Sequence, residues 1–218
     1  MTKRVLAGIA VAASLMSGSA YAVPFAFDFE SVPATGGNAG GYTSLPLTSG
    51  NVSATLTRSS GTAFDVVSNT GGQSGKPAGW GLHSLSPFFN TSVAGDAWLL
   101  TFSVPVLSLS IQFGDYGADN DSPVGLGAFS GPNGTGVNVA NSTTGWGTGL
   151  SFSSPQHFKT LTVSSPYAFQ SVQFSSSGPF PNSLFWDNIQ GQAVPEPGTL
   201  LLVGSGITAL ALRRRRKA

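Results

Sequence analysis

Apolar residues alternate with small or polar residues in several short stretches of this sequence, and this period of two restricts its fold more than any other feature. Phe25, Phe27 and Phe29 follow the pattern, as does the stretch 107–113. Alternation places successive side chains on opposite faces of a strand, so each stretch predicts a strand with one buried face. Further candidate strands, separated by Gly, Pro and Asn, are 51–58, 62–67, 97–103, 123–129, 135–140, 157–163, 168–175 and 184–190. The pattern predicts an all-β, antiparallel β-sandwich, in its most specific form a jelly roll.

The first 22 residues have the features of a secretory signal peptide. Lys3 and Arg4 precede an apolar run at 5–16, which predicts a signal helix. Ala20 and Ala22 then supply the small residues of a cleavage site, so cleavage is expected after Ala22. Residues 23–193 remain for one exported domain of about 170 residues, long enough for a hydrophobic core.

The last 25 residues combine a proline-rich motif, an apolar run and a basic cluster. Val194, Pro195, Glu196 and Pro197 precede the apolar run 199–212, and four arginines and a lysine follow it. The run predicts a short membrane helix, although a full bilayer span takes about 20 residues. Basic residues beside such a helix stay in the cytoplasm, so the preceding domain is expected on the other side of the inner membrane. The prolines favour an extended segment that a protease can enter.

This arrangement resembles the PEP-CTERM sorting signal of Gram-negative envelope proteins. The resemblance implies that a membrane-embedded exosortase recognises and cleaves the segment 194–218 and passes the protein to the cell surface or the extracellular space. Family members are often associated with exopolysaccharide and biofilm. The alternative for the same segment is an ordinary C-terminal membrane anchor.

Charge and cysteine content exclude some classes of protein. Most basic residues lie in the two terminal segments, and residues 23–193 hold three basic residues against eight acidic ones, a net charge of −5. Such a domain lacks the basic surface of a nucleic-acid-binding protein. The chain has no cysteine, so the core or a bound metal must stabilise the exported domain without disulfides.

The aromatic residues include candidates for sugar binding. Trp80 and Trp146 each lie between two glycines, and Tyr116 lies in an acidic turn. Exposed rings at these positions could stack on the apolar face of a sugar. The alternative is that the indole rings fold back and close the ends of the sandwich. Trp98 alternates with apolar residues and is expected in the core.

Asp187 is unusual because period two places it on the same strand face as Phe185 and Ile189. A carboxylate on a buried face needs a cation or backbone amides as partners. The sequence around Asp187 resembles the closing strand of carbohydrate-binding-type jelly rolls and of PEP-CTERM ectodomains. In such folds the last strand lies close to the first, which here ends near Asp28 and Glu30. The resemblance implies either a structural Ca²⁺ site or an Asp-to-backbone clamp.

A second candidate Ca²⁺ site is the acidic turn that contains Asp115, Asp119 and Asp121. Hard oxygen ligands on a Gly-containing loop suit Ca²⁺ better than Mg²⁺ or zinc. The alternative is a solvated turn in which Asp and Asn are present because they favour turns.

The sequence offers no recognisable catalytic frame, since His83 and His157 occur in no known motif and no G-x-S-x-G elbow is present. We therefore expect a non-catalytic domain that binds exopolysaccharide. A purely structural surface or biofilm-matrix protein is the first alternative, and a glycan hydrolase is the second. Exposed Trp80 and Trp146 would favour glycan binding, whereas burial of both would favour the structural role.

Overall fold

Strands form all the regular secondary structure of the described part of the chain. The computed structural model describes residues 22–35, 41–68, 80–86, 96–114, 121–145, 158–177 and 184–194, and these contain ten strands and no helix. The strands are β1 (Val23–Phe27), β2 (Leu45–Ser49), β3 (Val52–Arg58), β4 (Val66–Ser68), β5 (His83–Leu85), β6 (Trp98–Gly114), β7 (Val124–Phe129), β8 (Asn138–Thr144), β9 (Phe158–Ser176) and β10 (Phe185–Ala193).

Two long strands, β6 and β9, organise the sheet. They pair with each other along most of their length. The first part of β6 also pairs with β3 and the second part with β10, while the second part of β9 pairs with β7. The resulting order is β4-β5-β10-β6-β9-β7-β8, with β1 on β10 and β2 on β3. Every pairing with a defined register is antiparallel. The predicted all-β, antiparallel class is therefore confirmed, whereas the jelly-roll connectivity stays a prediction.

Both long strands join two segments that the sequence pattern predicts as separate. The stretches 97–103 and 107–113 belong to β6, whose register with β9 shifts between Thr101 and Val106. The exposed Pro105 lies at this shift. Proline donates no hydrogen bond to a ladder, so it is tolerated at a bulge, where the strand bends without ending. In β9 the exposed Pro166 likewise separates the two predicted halves.

One hydrophobic cluster takes buried side chains from nine of the ten strands, all except β8, and packs aromatic rings at its centre. Trp98 is 2% exposed and lies edge-on to Phe64 at 5.0 Å and stacked with Phe174 at 6.2 Å. Its predicted core position is confirmed. Burial of each large apolar side chain stabilises the fold by about 1.5 to 3 kcal/mol. Residues Pro24–Ala193 form one compact unit around this cluster.

Two short strands lie between the candidate strands of the sequence pattern. β2 forms between the Phe25–Phe29 candidate and 51–58, and β5 forms between 62–67 and 97–103. Pro46 weakened the strand pattern of β2, and β5 is only three residues long. β8 begins at Asn138, three residues later than the start of the predicted stretch 135–140.

No helix in the described part of the chain is long and apolar enough to cross a membrane. The predicted signal helix and the predicted membrane helix at 199–212 lie outside the described residues, as do Ala20 and Pro195–Pro197.

Candidate functional site

Asp187 is fully buried and held by backbone amides. Its Oδ1 accepts a hydrogen bond of 2.7 Å from the Asn188 N–H, and its Oδ2 accepts one of 3.1 Å from the Gly81 N–H. The side chain is 0% exposed. Both carboxylate oxygens therefore have partners, and the bond to Gly81 ties β10 to the segment that leads into β5.

Burial raises the pKa of Asp187 to about 7. The two backbone hydrogen bonds act in the opposite direction, because they favour the ionised form. The negative charges of Glu30 and Asp28 add to the increase. The three acidic residues predicted to lie near one another are thus close enough to interact electrostatically.

Gly81 lies between Asp187 and Glu30. A Cβ at this position would overlap Glu30 Oε1, so the close approach requires glycine unless the Glu30 side chain moves. Glu30 Oε1 also accepts a 2.8 Å hydrogen bond from the His83 N–H, and the His83 ring bonds to the Val32 carbonyl at 2.8 Å. The segment before β5 therefore joins the end of the first strand to the last strand.

A bulge in β10 corrects the predicted strand faces. Between Asp187 and Gln190, β10 has one residue more than β6 opposite it, and Asn188 takes a positive φ of 48°. The extra residue reverses the alternation, so Trp186 and Ile189 both join the core cluster. The prediction that Asp187 shares the face of Ile189 is wrong, because it assumed an unbroken period of two.

No group of three or more His, Asp or Glu side chains in the described part of the chain is placed to hold a metal ion. Glu30 and Asp28 are exposed, and Asp28 Oδ1 accepts a 3.2 Å hydrogen bond from the Glu30 N–H. Around Asp187, the geometry is that of a carboxylate bound by backbone amides.

The acidic turn can be placed only in part. Asp115 and Asp119 lie outside the described residues, whereas Asp121 is 0% exposed. Asp121 is therefore not part of a solvated turn tip.

Of the two alternatives for Trp80, the structure shows the buried one. Its side chain is 5% exposed, and its ring packs edge-on against Phe158 at 4.8 Å with an interplanar angle of 67°. Burial of the large indole closes this part of the domain, so its face cannot stack on a sugar. Trp146 and Tyr116 lie outside the described residues. Tyr167, which no pattern in the sequence indicated, is 72% exposed and directly follows Pro166.

An open groove of about 240 Å³ crosses strands β7, β8 and β9, and we call it the β7–β8–β9 groove. Antiparallel pairing places Thr143, Gly125 and Ser175 in one row and Asn141, Gly127 and Gln173 in the next. The half-buried Phe129 also lines the groove. Two rows of hydroxyl and amide groups thus flank a floor of glycine.

The two glycines of the groove differ in their surroundings. A Cβ at Gly127 would lie 3.1 Å from Asn138 Nδ2 and 3.2 Å from the Phe129 ring. A Cβ at Gly125 would meet only the Thr143 methyl group, at 3.9 Å. Packing therefore accounts for Gly127 but not for Gly125. The alternation of glycine in the stretch Val124–Phe129 is the sequence signal that could have indicated this groove.

The hairpin loop between β7 and β8 is anchored beside the groove. Buried Ser171 donates a 2.6 Å hydrogen bond to the Gly131 carbonyl and accepts one of 2.9 Å from the Gly134 N–H. Thr101 donates to the Asn133 side chain at 2.9 Å. These bonds hold the end of the groove on a rigid part of the sheet.

The outer strand surfaces carry almost no charge. The charged residues within the ten strands are Arg58, Lys159 and Asp187, and both Arg58 and Asp187 are buried. A second open groove, of about 220 Å³, is also lined by neutral groups, among them Gln190 and Thr162. The acidic charge of residues 23–193 therefore lies mainly outside the strands.

Three of the solved structures that are similar to this chain have the following identity, coverage and TM-score. The K2 cleaved adhesin domain of Lys-gingipain is 18% identical, with 78% of this chain and 99% of that chain covered and a TM-score of 0.46. The MgGH51 α-L-arabinofuranosidase is 12% identical, with 81% of this chain and 27% of that chain covered and a TM-score of 0.46. The family 11 carbohydrate-binding module from Clostridium thermocellum, solved with a β-1,3-1,4-mixed-linked tetrasaccharide, is 12% identical, with 82% and 99% covered and a TM-score of 0.31. None of these scores is high enough to assign a function.

No curated protein matches the chain. Residues 193–216 match the family model of the PEP-CTERM protein-sorting motif. This match confirms the resemblance of the segment that begins at Val194 and indicates an exported protein that carries a signal recognised by exosortase. The chain thus carries a PEP-CTERM sorting motif.

Proposed function

We propose that this protein is displayed at the cell surface or released after exosortase cleavage, and that its domain is a non-catalytic β-sandwich that binds a neutral exopolysaccharide in the β7–β8–β9 groove. The sorting motif supports export and processing. Transient contact with the inner membrane through residues 199–212 belongs to the same proposal.

Gly125 is the observation that carries the glycan proposal. Glycine inside a strand lowers stability, by roughly 0.5 to 1 kcal/mol relative to alanine, and often marks a place where a ligand approaches the backbone. Gly125 has an ordinary φ, and the space above it would admit a methyl group. The residue therefore has no packing or backbone reason to be glycine, whereas a ligand lying across the groove would need the space.

The side chains around Gly125 suit an uncharged sugar. Asn141 and Gln173 each offer a donor and an acceptor, as sugar hydroxyl pairs require, and the Phe129 ring offers an apolar surface. The described residues that line the groove include no carboxylate and no histidine. Asp187, whose raised pKa would suit an acid catalyst, exposes no surface to a substrate. This chemistry favours binding without hydrolysis.

Filling the groove tests the proposal. The variant Gly125→Val should lose retention on the host's exopolysaccharide and on neutral glycans of an array, while its melting temperature stays equal to or above that of the wild type. Thr162→Val, in the second groove, is the matched control and should bind normally. Asn141→Ala and Gln173→Ala should each weaken binding about 5- to 30-fold, as expected for the loss of one or two hydrogen bonds. Wild-type binding by Gly125→Val would overturn the assignment of the groove.

A structural matrix protein without a small ligand is the second candidate, and the burial of Trp80 favours it. The same experiment separates the two candidates. Retention of the wild type on exopolysaccharide supports the binding function, and absence of retention on every glycan supports the structural role.

We also propose weak Ca²⁺ binding by Asp115, Asp119 and Asp121. Oxygen ligands on an irregular turn suit this ion, and binding would raise the melting temperature through mass action. Melts in millimolar CaCl₂ and in excess EDTA test the proposal, with the double variant Asp119→Asn, Asp121→Asn as control. Identical melting temperatures of the wild type in both solutions would show that the turn does not bind Ca²⁺.

A further inference from the structure

The edge strand β8 lacks the features that usually keep a sheet edge from pairing with another chain. In the described part of the chain, β8 pairs with β7 only. Its seven residues include no charge and no proline. Protected edges typically carry Lys, Pro or an inward-pointing charge, because a row of unpaired N–H and C=O groups otherwise recruits another strand. By contrast, the edge strand β2 contains Pro46, and the edge strand β4 has only three residues.

An exposed valine adds a second observation. Val137, directly before β8, is 68% exposed, while its backbone N–H bonds to Ser130 Oγ at 2.9 Å. Its position is therefore held, yet its apolar side chain faces water. A strand added beside β8 would cover it.

We propose that β8 pairs antiparallel with β8 of a second copy of this chain, about a two-fold axis at Asn141, and so joins two sheets into one. This inference goes beyond glycan binding and does not depend on it. Two-fold dimers, in which the same surface of each copy forms the interface, are the commonest oligomers. Addition of a strand to an open sheet edge is a known recognition mode.

The register about Asn141 brings compatible side chains together. Asn138 lies opposite Thr144 of the second copy, and Ala140 lies opposite Ser142. Hydroxyl and amide groups on opposed strands can exchange hydrogen bonds. Each domain carries a net charge of −5 over residues 23–193, so two copies repel each other in general. The uncharged β8 edge allows contact with the least electrostatic cost.

Sedimentation of the protein purified as its host exports it tests this pairing. The wild type should double in mass as its concentration rises. The variants Asn141→Lys and Asn141→Glu should each stay monomeric, because like charges would lie directly opposite each other. An equimolar mixture of the two variants should restore the dimer. Thr55→Lys, on the exposed face of the interior strand β3, is the control and should dimerise normally.

Several results would overturn the proposal. A wild-type protein that stays monomeric at high concentration would overturn it, whatever the variants show. Pairing about Asn141 would also be excluded if both Asn141 variants dimerised as well as the wild type. It would equally be excluded if a mixture of the well-folded Lys and Glu variants stayed monomeric. Far-UV circular dichroism of each variant establishes that the fold is intact.

Discussion

At the scale of single residues, the buried Asp187 links the last strand, β10, to the segment before β5. Its carboxylate bonds to Gly81, which itself lies against Glu30. Replacement by alanine would leave the buried Asn188 N–H and the half-buried Gly81 N–H without their acceptor. We expect Asp187→Ala to lower the free energy of unfolding by about 2 to 4 kcal/mol. An unchanged melting temperature would show that the carboxylate contributes nothing.

The pKa of Asp187 predicts how stability depends on pH. Because this pKa rises from 3.8 to about 7 on folding, the folded state retains a proton that the unfolded state has lost between these values. The contribution of Asp187 to the free energy of unfolding should therefore be complete below about pH 4 and be lost as the pH rises through about 7. The variant Asp187→Asn cannot ionise and should lose this dependence. Urea unfolding of both proteins across this range measures the difference, and parallel pH profiles would contradict the assignment.

Gly81 supplies a test of the close packing against Glu30. Gly81→Ala should lower the melting temperature, because the added methyl group must displace the Glu30 carboxylate from the His83 N–H. In the background Glu30→Ala, all three atoms nearest to that methyl group are absent, so the same change should have little further effect. A double-mutant cycle with additive effects would show that the two residues do not interact.

At the scale of elements, the turn after β3 is held by a buried ion pair. Arg58 pairs with Asp96, and both side chains are at most 2% exposed. Asp96 also accepts hydrogen bonds from Ser59 Oγ at 2.8 Å and from the Ser60 N–H at 3.0 Å. Burial lowers the pKa of the Arg58 guanidinium, while the charge of Asp96 raises it. The turn between β3 and β4 is thereby joined to the start of β6.

We expect Asp96→Ala to be among the most destabilising single changes in the domain. Removal of the carboxylate leaves the buried Arg58 charge without its anionic partner, which costs about 3 to 5 kcal/mol. Ser59→Ala, which removes one neutral hydrogen bond, should cost about 1 kcal/mol and serves as the comparison. Chemical denaturation measures both, and equal losses would show that the ion pair is not the main contributor.

The period of two predicted the all-β class because alternation indicates a strand with one buried face, which is independent of where the strand lies in the sheet. It failed where backbone geometry changes locally. The bulge at Asn188 reversed the alternation in β10. Pro105 lies at a register shift within β6 that the sequence pattern read as the gap between two strands. Trp80 could not be judged from flanking glycines, since its burial against Phe158 depends on a contact distant in sequence. The groove at Gly125 requires the register of three strands and could not be read from one segment.

At the scale of the whole molecule, the predicted signal peptide and the sorting motif together predict processing at both ends. Intact-mass analysis of the protein from a host with exosortase should show a species that starts at Val23 and lacks most of residues 198–218. The triple variant Pro195→Ala, Glu196→Ala, Pro197→Ala removes the motif and should leave the C-terminal segment attached. A wild-type protein that retains this segment would identify it as an ordinary anchor.

The strand surfaces carry few charges, and this determines how binding and self-association should depend on ionic strength. Contacts made by hydroxyl, amide and aromatic groups are not screened by salt, whereas repulsion between acidic regions outside the strands weakens once the Debye length falls to about 10 Å near 0.1 M. Adhesion through the β7–β8–β9 groove should therefore be the same in dilute and saline water, while association of two copies should strengthen as salt is added. A surface protein built in this way would retain its ligand when the surroundings of the cell change from fresh to brackish.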